Sequence, residues 1–276
     1  MKHITIAVDK NYMIPATVML HSLLCNNNPK DIHIHIILNF KAWLYKLPLR
    51  YILNKHHCQY TFHLLEEKDI PFIKDLVISH HISVAAYFRL FLPSILKNVQ
   101  KTLYLDGDLI VDESIEELYN TILDDESLAA VFYENKERIE ALTLKNGYFN
   151  SGVILINLNY LRENNCESKF VQFIQNHPEK ILFWDQDVLN YTLQDTIAPL
   201  HRKWNFIPYN NNYPPEYKPI IIHYAGRHKP WSKYCEKHIL NDKYFEYLYK
   251  DIGLLILKRI FDAITYVKIK LKKLHF

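Results

Sequence analysis

Apolar and β-branched residues gather in short runs that each stop at a polar cluster, and this punctuation lays out most of the architecture. Residues 3–8, HITIAV, form such a run and give way at once to Asp9, Lys10 and Asn11, the pattern of a buried strand opening into a polar loop. Val18, Met19, Ser22 and Leu23 follow at helical spacing, so 15–25 reads as a helix. IHIHIIL (32–38) alternates before turning wholly apolar, and a helical stretch leads from it to QYTFHLL (59–65). Three strand-and-helix units thus fill the first third, and their alternation predicts a parallel or mixed sheet in an α/β fold. Further strands are predicted at 101–108, 127–133, 151–158 and 219–224, and helices at 84–98, 114–122, 167–176 and 185–193. The stretch IPYNNNYPPEYKP (207–219) reads as a long loop inside the domain, and loops of that length are often functional.

Composition narrows the class. With 276 residues, 49% of them hydrophobic, the chain supports one sizeable core and is short for two domains. Its 5 glycines stand at 107, 147, 152, 226 and 253, so neither a G-x-G-x-x-G dinucleotide fingerprint nor a G-x-x-x-x-G-K-[ST] phosphate loop can be written. Simple Rossmann dehydrogenases and P-loop NTPases are excluded. Cys25, Cys58, Cys166 and Cys235 form no C-x-x-C pair, which predicts neither a thiolate zinc site nor a disulfide framework and suits a reducing cytosol. The apolar stretch before Asp9 is too short for a secretory signal, and no run approaches the length that spans a bilayer. The net charge of +3 is uneven. Residues 252–276 carry six Lys/Arg and one acid, against 27 basic and 29 acidic residues elsewhere, so the basicity belongs to a tail and not to a nucleic-acid-binding face.

The sharpest chemical signal is Asp106-Gly107-Asp108 at the end of an apolar strand. Alternate strand residues share a face, so the two carboxylates can converge on one hard cation that also holds phosphate oxygens; the plain alternative is an Asp-Gly turn leaving a strand. His223 also follows an apolar strand, where it would add an imidazole ligand or be a histidine tucked at a strand end. In the same cluster Gly226 permits close approach to an anion and Lys229 can neutralise phosphate charge. Three of the five glycines sit in such polar strand-end clusters, the third being Asn150-Ser151-Gly152. Asp185 in Trp184-Asp185-Gln186-Asp187 reads, taken alone, as a helix cap, and Arg89 in an otherwise apolar helix as a snorkelling residue unless it reaches a carboxylate or phosphate.

Together these motifs resemble glycosyltransferase family 8, and most of all its bacterial lipopolysaccharide and lipooligosaccharide α-glycosyltransferases. The resemblance runs from residue 3 to 235 through ITIAVDKNY, YFRLFLP, KTLYLDGDLIV, YFNSGVILINL, WDQDVLN, KWNF and HYAGRHKPW. It implies a GT-A fold, with a Rossmann-like nucleotide-binding half on a mixed central sheet, over residues 1–251. It also implies a UDP-hexose donor, galactose or glucose, a saccharide acceptor, Mn2+ or alternatively Mg2+ as cofactor, and retention at the anomeric carbon. By the same resemblance the metal ligands are Asp106, Asp108 and His223. The nucleotide contacts are Ala7, Asp9, Asn11 and Tyr12, with Gly226 and Lys229 at the diphosphate. The donor-sugar contacts are Arg89, Asn150 and Asp185, and Gln186 lies nearest the anomeric carbon, with Asp185 as the alternative nucleophile. One position departs: where relatives read A-A-V-x-D, this chain has Tyr133, so the resemblance does not select the hexose.

Residues 252–276 are expected to form a basic amphipathic helix. Leu257, Ile260, Phe261, Ile264, Val267, Leu271 and Leu274 recur at spacings of three and four, making an apolar stripe flanked by Lys258, Arg259, Lys270, Lys272 and Lys273. Such a helix suits the inner face of an anionic cytoplasmic membrane and a lipid-linked acceptor; packing on the domain is the alternative. Two other functional readings are a protein- or self-glycosylating transferase of the glycogenin type and an inactive nucleotide-sugar-binding protein.

Overall fold

A computed structural model of the chain describes residues 1–65, 84–208, 216–232, 235 and 240–274. Its strands are β1 (Lys2–Ala7), β2 (Ile32–Leu38), β3 (Gln59–Leu64), β4 (Lys101–Leu105), β5 (Leu109–Val111), β6 (Leu128–Tyr133), β7 (Tyr148–Asn157), β8 (Ile197–Pro199) and β9 (Ile221–His223). Its α-helices are α1 (Met13–Cys25), α2 (Leu47–Lys55), α3 (Leu92–Ile95), α4 (Glu116–Tyr119), α5 (Lys136–Leu142), α6 (Leu158–Glu163), α7 (Cys166–Asn176), α8 (Trp184–Leu193), α9 (Asn241–Tyr249) and α10 (Ile252–Leu274). Among the described residues the main sheet runs β3-β2-β1-β4-β7-β6-β8, and β5 pairs with β9 in a separate ribbon. β1 is parallel to β2 and β4, whereas β7 is antiparallel to β4 and β6, so the sheet is mixed, as the sequence predicts.

This order positions the site. β1 has β2 on one side and β4 on the other, and ligands of α/β sheets bind outside the carboxyl ends of strands at such a reversal. Asp9 follows β1 and Asp106 follows β4, so both enter that crevice. Alternation along the strands supplies two covered faces. Ile4, Ile6, Ile34, Ile36, Leu103 and Leu105 pack in the layer of α1 and α2. Ile37, Tyr104, Ile154 and Ile156 face the layer of α7 and α8. Burying one such aliphatic side chain contributes about 1.5–3 kcal/mol, so the apolar faces hold the fold and leave the crevice free to be polar.

Three local outcomes differ from the sequence pattern. The helix expected at 84–98 is a 3-10 stretch, Val84–Phe91, followed by the short α3, which carries Pro93 in its first turn. Proline lacks the N–H that a continuing helix needs and suits a helix start, so the chain breaks there. The strand expected at 151–158 begins at Tyr148, which places Asn150 and Ser151 inside β7. In α10, Leu254 and Phe261 are buried, with Phe261 edge-on to Tyr45 at 6.0 Å, so Phe261 belongs to the core and not to a free apolar stripe. Ile256, Ile260 and Val267 of the same helix are exposed. Among the described residues no helix is long and apolar enough to cross a membrane. Of the loop expected at 207–219, residues 209–215 lie outside the described residues, as do His275 and Phe276 of the tail.

Candidate active site

The three residues expected to hold a metal are brought together by strand register. β4 stops at Leu105, and the Asp106 amide donates to the Gly152 carbonyl of β7 at 2.9 Å. Asp106-Gly107-Asp108 then turns into β5, whose antiparallel pairing with β9 sets Leu109 opposite His223. His223 Nε2 consequently lies 3.4 Å from Asp108 Oδ1 and 3.9 Å from Asp106 Oδ2. One ligand atom from each of Asp106, Asp108 and His223 lies within 4.8 Å of the other two. Two carboxylates and an imidazole converging at that span fit a divalent cation such as Mn2+ or Mg2+.

Small residues let the groups converge. A Cβ at Gly107 would come within 3.2 Å of Ala16 Cβ on α1, so glycine lets the turn seat against that helix. A Cβ at Gly152 would stand 2.9 Å from Asp106 Oδ2 and closer still to the His223 ring. Asn205 aims the imidazole. Its Oδ1 pairs with His223 Nδ1 at 2.9 Å and its Nδ2 donates to Asn150 Oδ1 at 3.0 Å, which leaves Nε2 facing the carboxylates. Lys229 Nζ sits on Asp108 Oδ2 and donates to the Tyr224 carbonyl, and its charge lies 5.9 Å from the Tyr12 ring centre. Burial by itself would raise the Asp108 carboxyl, but the adjoining Lys229 ammonium and His223 outweigh it and hold the group well below the usual carboxylate range.

Arg89 is the hub of the second half. It is buried and does not snorkel: one guanidinium nitrogen donates to Asp106 Oδ1 at 2.8 Å, Nε lies 2.9 Å from Asp185 Oδ2, and the Ser151 carbonyl accepts a further bond. Asp185 also accepts from Ser151 Oγ at 3.0 Å and is not a cap; burial pushes its carboxyl up to about 6, with Arg89 opposing and Asp106 adding. Gln186, next in α8, is oriented on both sides. Its Oε1 accepts from the Ser151 amide and from Asn150 Nδ2 at 3.0 Å each, and its Nε2 donates to the Tyr148 hydroxyl at 2.8 Å. Because a backbone N–H can only donate, the Ser151 contact fixes which end of the amide is oxygen.

The residues expected on the nucleotide side end or follow β1 and follow β9. Asp9 Oδ1 accepts from the Asn11 and Tyr12 amides at 2.7 and 3.2 Å and so shapes the turn into α1. Ala7 ends β1 half-buried, Asn11 is exposed, and Tyr12 meets Trp231 edge-on at 6.4 Å. Gly226 has φ +74°, a value that favours glycine, with open space where a Cβ would point. Tyr133 ends β6 beside Tyr148 of β7, and its buried hydroxyl makes no hydrogen bond.

Sequence reasoning passed over several supporting residues. Asn205, within KWNF, is a polar residue between Trp204 and Phe206, and it is fully buried. Asp187 is the residue that organises the start of α8: it accepts from the Leu182 and Phe183 amides, from the Tyr148 hydroxyl and from Arg138. Asn190 pairs with both the Phe149 amide and carbonyl, tying α8 to β7.

The sequence pattern of glycosyl transferase family 8 matches residues 3–235. General stress protein A of Bacillus subtilis (strain 168) is 28% identical over 89% of this chain and 92% of its own length. Lipopolysaccharide 1,3-galactosyltransferase of Salmonella typhimurium (strain LT2) is 27% identical over 84% of this chain and 73% of its own. Among solved structures, the galactosyltransferase LgtC in complex with donor and acceptor sugar analogs superposes with a TM-score of 0.81, at 22% identity, over 91% of this chain and 96% of that one. That likeness gives the fold, GT-A, as expected.

Proposed function

The chain belongs to glycosyl transferase family 8, a family of glycosyltransferase enzymes, and from that premise we propose that it is a metal-dependent, retaining hexosyltransferase using a UDP-hexose donor. The observation that carries the reading is the convergence of Asp106, Asp108 and His223 beside Lys229 at the mouth of the β1/β4 crevice. These three residues would hold the cation, Mn2+ or Mg2+. When bound, it supplies charge stabilisation to the departing diphosphate. Lys229 and the Gly226 turn face the same leaving group, while Tyr12 offers a ring for the uracil, with Ala7, Asp9 and Asn11 around it.

The donor hexose would lie against Arg89, Asn150 and Asp185. As the bond from the anomeric carbon to the phosphate oxygen breaks, the ring carbon gains positive charge, and to the Gln186 carbonyl we assign its stabilisation. The acceptor oxygen then bonds to that carbon on the same face and passes its proton to the released phosphate oxygen. An amide is a poor nucleophile, and the Asp185 carboxylate is engaged by Arg89 and Ser151, which favours front-face substitution over double displacement.

The acceptor we infer is a lipid-linked saccharide of the lipopolysaccharide type, reached from the inner face of the cytoplasmic membrane. Support comes from the Salmonella relative named above and from α10, which exposes Ile256, Ile260 and Val267 in a segment of charge +5. Anionic lipid attracts such a segment by about 1 kcal/mol per Lys or Arg near the surface.

The test is a screen of UDP-sugars with Mn2+ in the absence of acceptor, following UDP release and the anomeric form of the freed sugar by NMR. Release of α-hexose from one UDP-hexose is expected. Release of β-hexose would overturn retention, no release from any UDP-sugar would overturn the donor class, and label appearing on the protein itself would move the reading to self-glycosylation.

A further inference from the structure

Beyond the catalytic carboxylates, a second convergence of metal-ligating atoms lies on the other end of α1. His21 and Cys25 are four residues apart, hence neighbours on one helix face, and His56 follows the last residue of α2. His21 Nδ1 is 3.0 Å from His56 Nε2, and Cys25 Sγ is 3.6 Å from His21 Nδ1. One ligand atom from each of the three lies within 4.8 Å of the others. Tetrahedral zinc requires N–N and N–S separations of about 3.3 and 3.6 Å, given bonds of about 2.0–2.1 Å to nitrogen and 2.3 Å to sulfur. The observed edges are close to those values.

We propose that His21, Cys25 and His56 form a second metal site, for zinc or a zinc-like divalent ion, that clamps α1 to the end of α2. The fourth position falls to water, because Cys25 is exposed and opens the site to solvent. His21 stands nine positions along from Tyr12, which precedes α1, about 13 Å along the axis, so this ion would be structural and not a participant in transfer.

The surroundings agree. His21 is 4% exposed, and its Nδ1 faces both His56 Nε2 and Cys25 Sγ from the buried side of the cluster. A different cluster, His3, His33 and His35, offers only neutral imidazoles, whereas this one includes a thiol that becomes an anionic ligand. Binding balances simply: Cys25 gives its thiol proton to solvent as the sulfur–metal bond forms. The proton shared between the two imidazoles passes to the other nitrogen of the donating ring, so one proton leaves per metal bound.

Co2+ is the probe, because among the metal-ligating clusters of the described residues this one alone contains sulfur and would show a thiolate-to-cobalt charge-transfer band. Titrated into reduced, metal-free Asp108→Ala, Co2+ should produce that band with saturation at one equivalent, and Cys25→Ser should abolish the band while, in the otherwise unchanged chain, keeping transfer activity. Equilibrium dialysis with Zn2+ isolates the site in Asp108→Ala, which should bind one equivalent. Adding His56→Ala should weaken that binding at least tenfold, with folding of each variant checked by circular dichroism. A folded Asp108→Ala without the band, a band that survives Cys25→Ser, or Zn2+ affinity unchanged by His56→Ala would overturn the proposal.

Discussion

A Cβ placed on Gly152 would overlap Cε1 of His223 and stand 2.8 Å from its Nδ1. Neither atom can give way cheaply, because the ring is buried and its Nδ1 is held by Asn205 at 2.9 Å. Glycine in β7 is therefore what lets the imidazole reach Asp106 and Asp108. Gly152→Ala is expected to lose Mn2+ affinity, read by electron paramagnetic resonance, and to reduce transfer at least about 100-fold, the scale of one lost charge-stabilising contact. Normal Mn2+ binding by the folded variant would contradict this role.

Gln186 is held by three hydrogen bonds that leave its amide little freedom. Stabilising a cationic carbon is a contact realised in the transition state, so Gln186→Ala should lower kcat by about 100-fold and change KM only slightly. Steady-state kinetics with the identified donor read the split. Unchanged kcat would remove Gln186 from the chemistry.

Acid should weaken the fold through a histidine ladder on the sheet. His35 Nε2 pairs with His3 Nδ1 at 2.9 Å and its Nδ1 with His63 Nε2 at 3.1 Å, while the His33 ring stacks on it. Burial, then His33, His63 and His3, lower His35 to about 3; His3, His33 and His63 are lowered too. The native state thus refuses protons that the unfolded chain accepts near its ordinary value of 6.5, so stability is intact above about pH 6.5 and falls as pH drops towards 3. Asp185, raised to about 6, acts in the opposite direction. The check is therefore a difference: His35→Gln should flatten the acid side of the urea-unfolding free energy relative to wild type. Parallel curves would refute the assignment.

Because Leu254 and Phe261 are buried, truncation of the tail should begin beyond them. A chain ending at Ile264 is expected to fold and to keep activity on a soluble acceptor analogue, yet to lose cosedimentation with anionic vesicles. Undiminished vesicle binding would show that the tail is not the anchor.

The site was readable wherever its residues stand at strand ends in short motifs. Asp106, Asp108 and His223 each follow an apolar run, and strand pairing does the rest. Arg89 was less legible: flanked by Tyr87, Phe88 and Leu90 it has the pattern of a surface arginine, and only folding shows that Asp106 and Asp185 meet it. Asn205 acts on His223, and Asp187 adds to its local bonds with the Leu182 and Phe183 amides the distant partners Tyr148 and Arg138, so local pattern carries no more than the hint of a polar residue among aromatics. The break at Pro93 was written in the sequence, but the apolar periodicity around it overrode the signal. In α10 periodicity marks apolar positions without saying which of them face protein, hence the burial of Phe261.

The most direct test of metal-dependent transfer is UDP release from the cognate UDP-hexose with added Mn2+ and with excess chelator, in wild type and Asp108→Ala. The arrangement of Asp106, Asp108 and His223 predicts turnover that is abolished by chelator, restored by Mn2+, and reduced by orders of magnitude in a folded Asp108→Ala. Full turnover in excess chelator, or an Asp108→Ala variant as active as wild type, would contradict it.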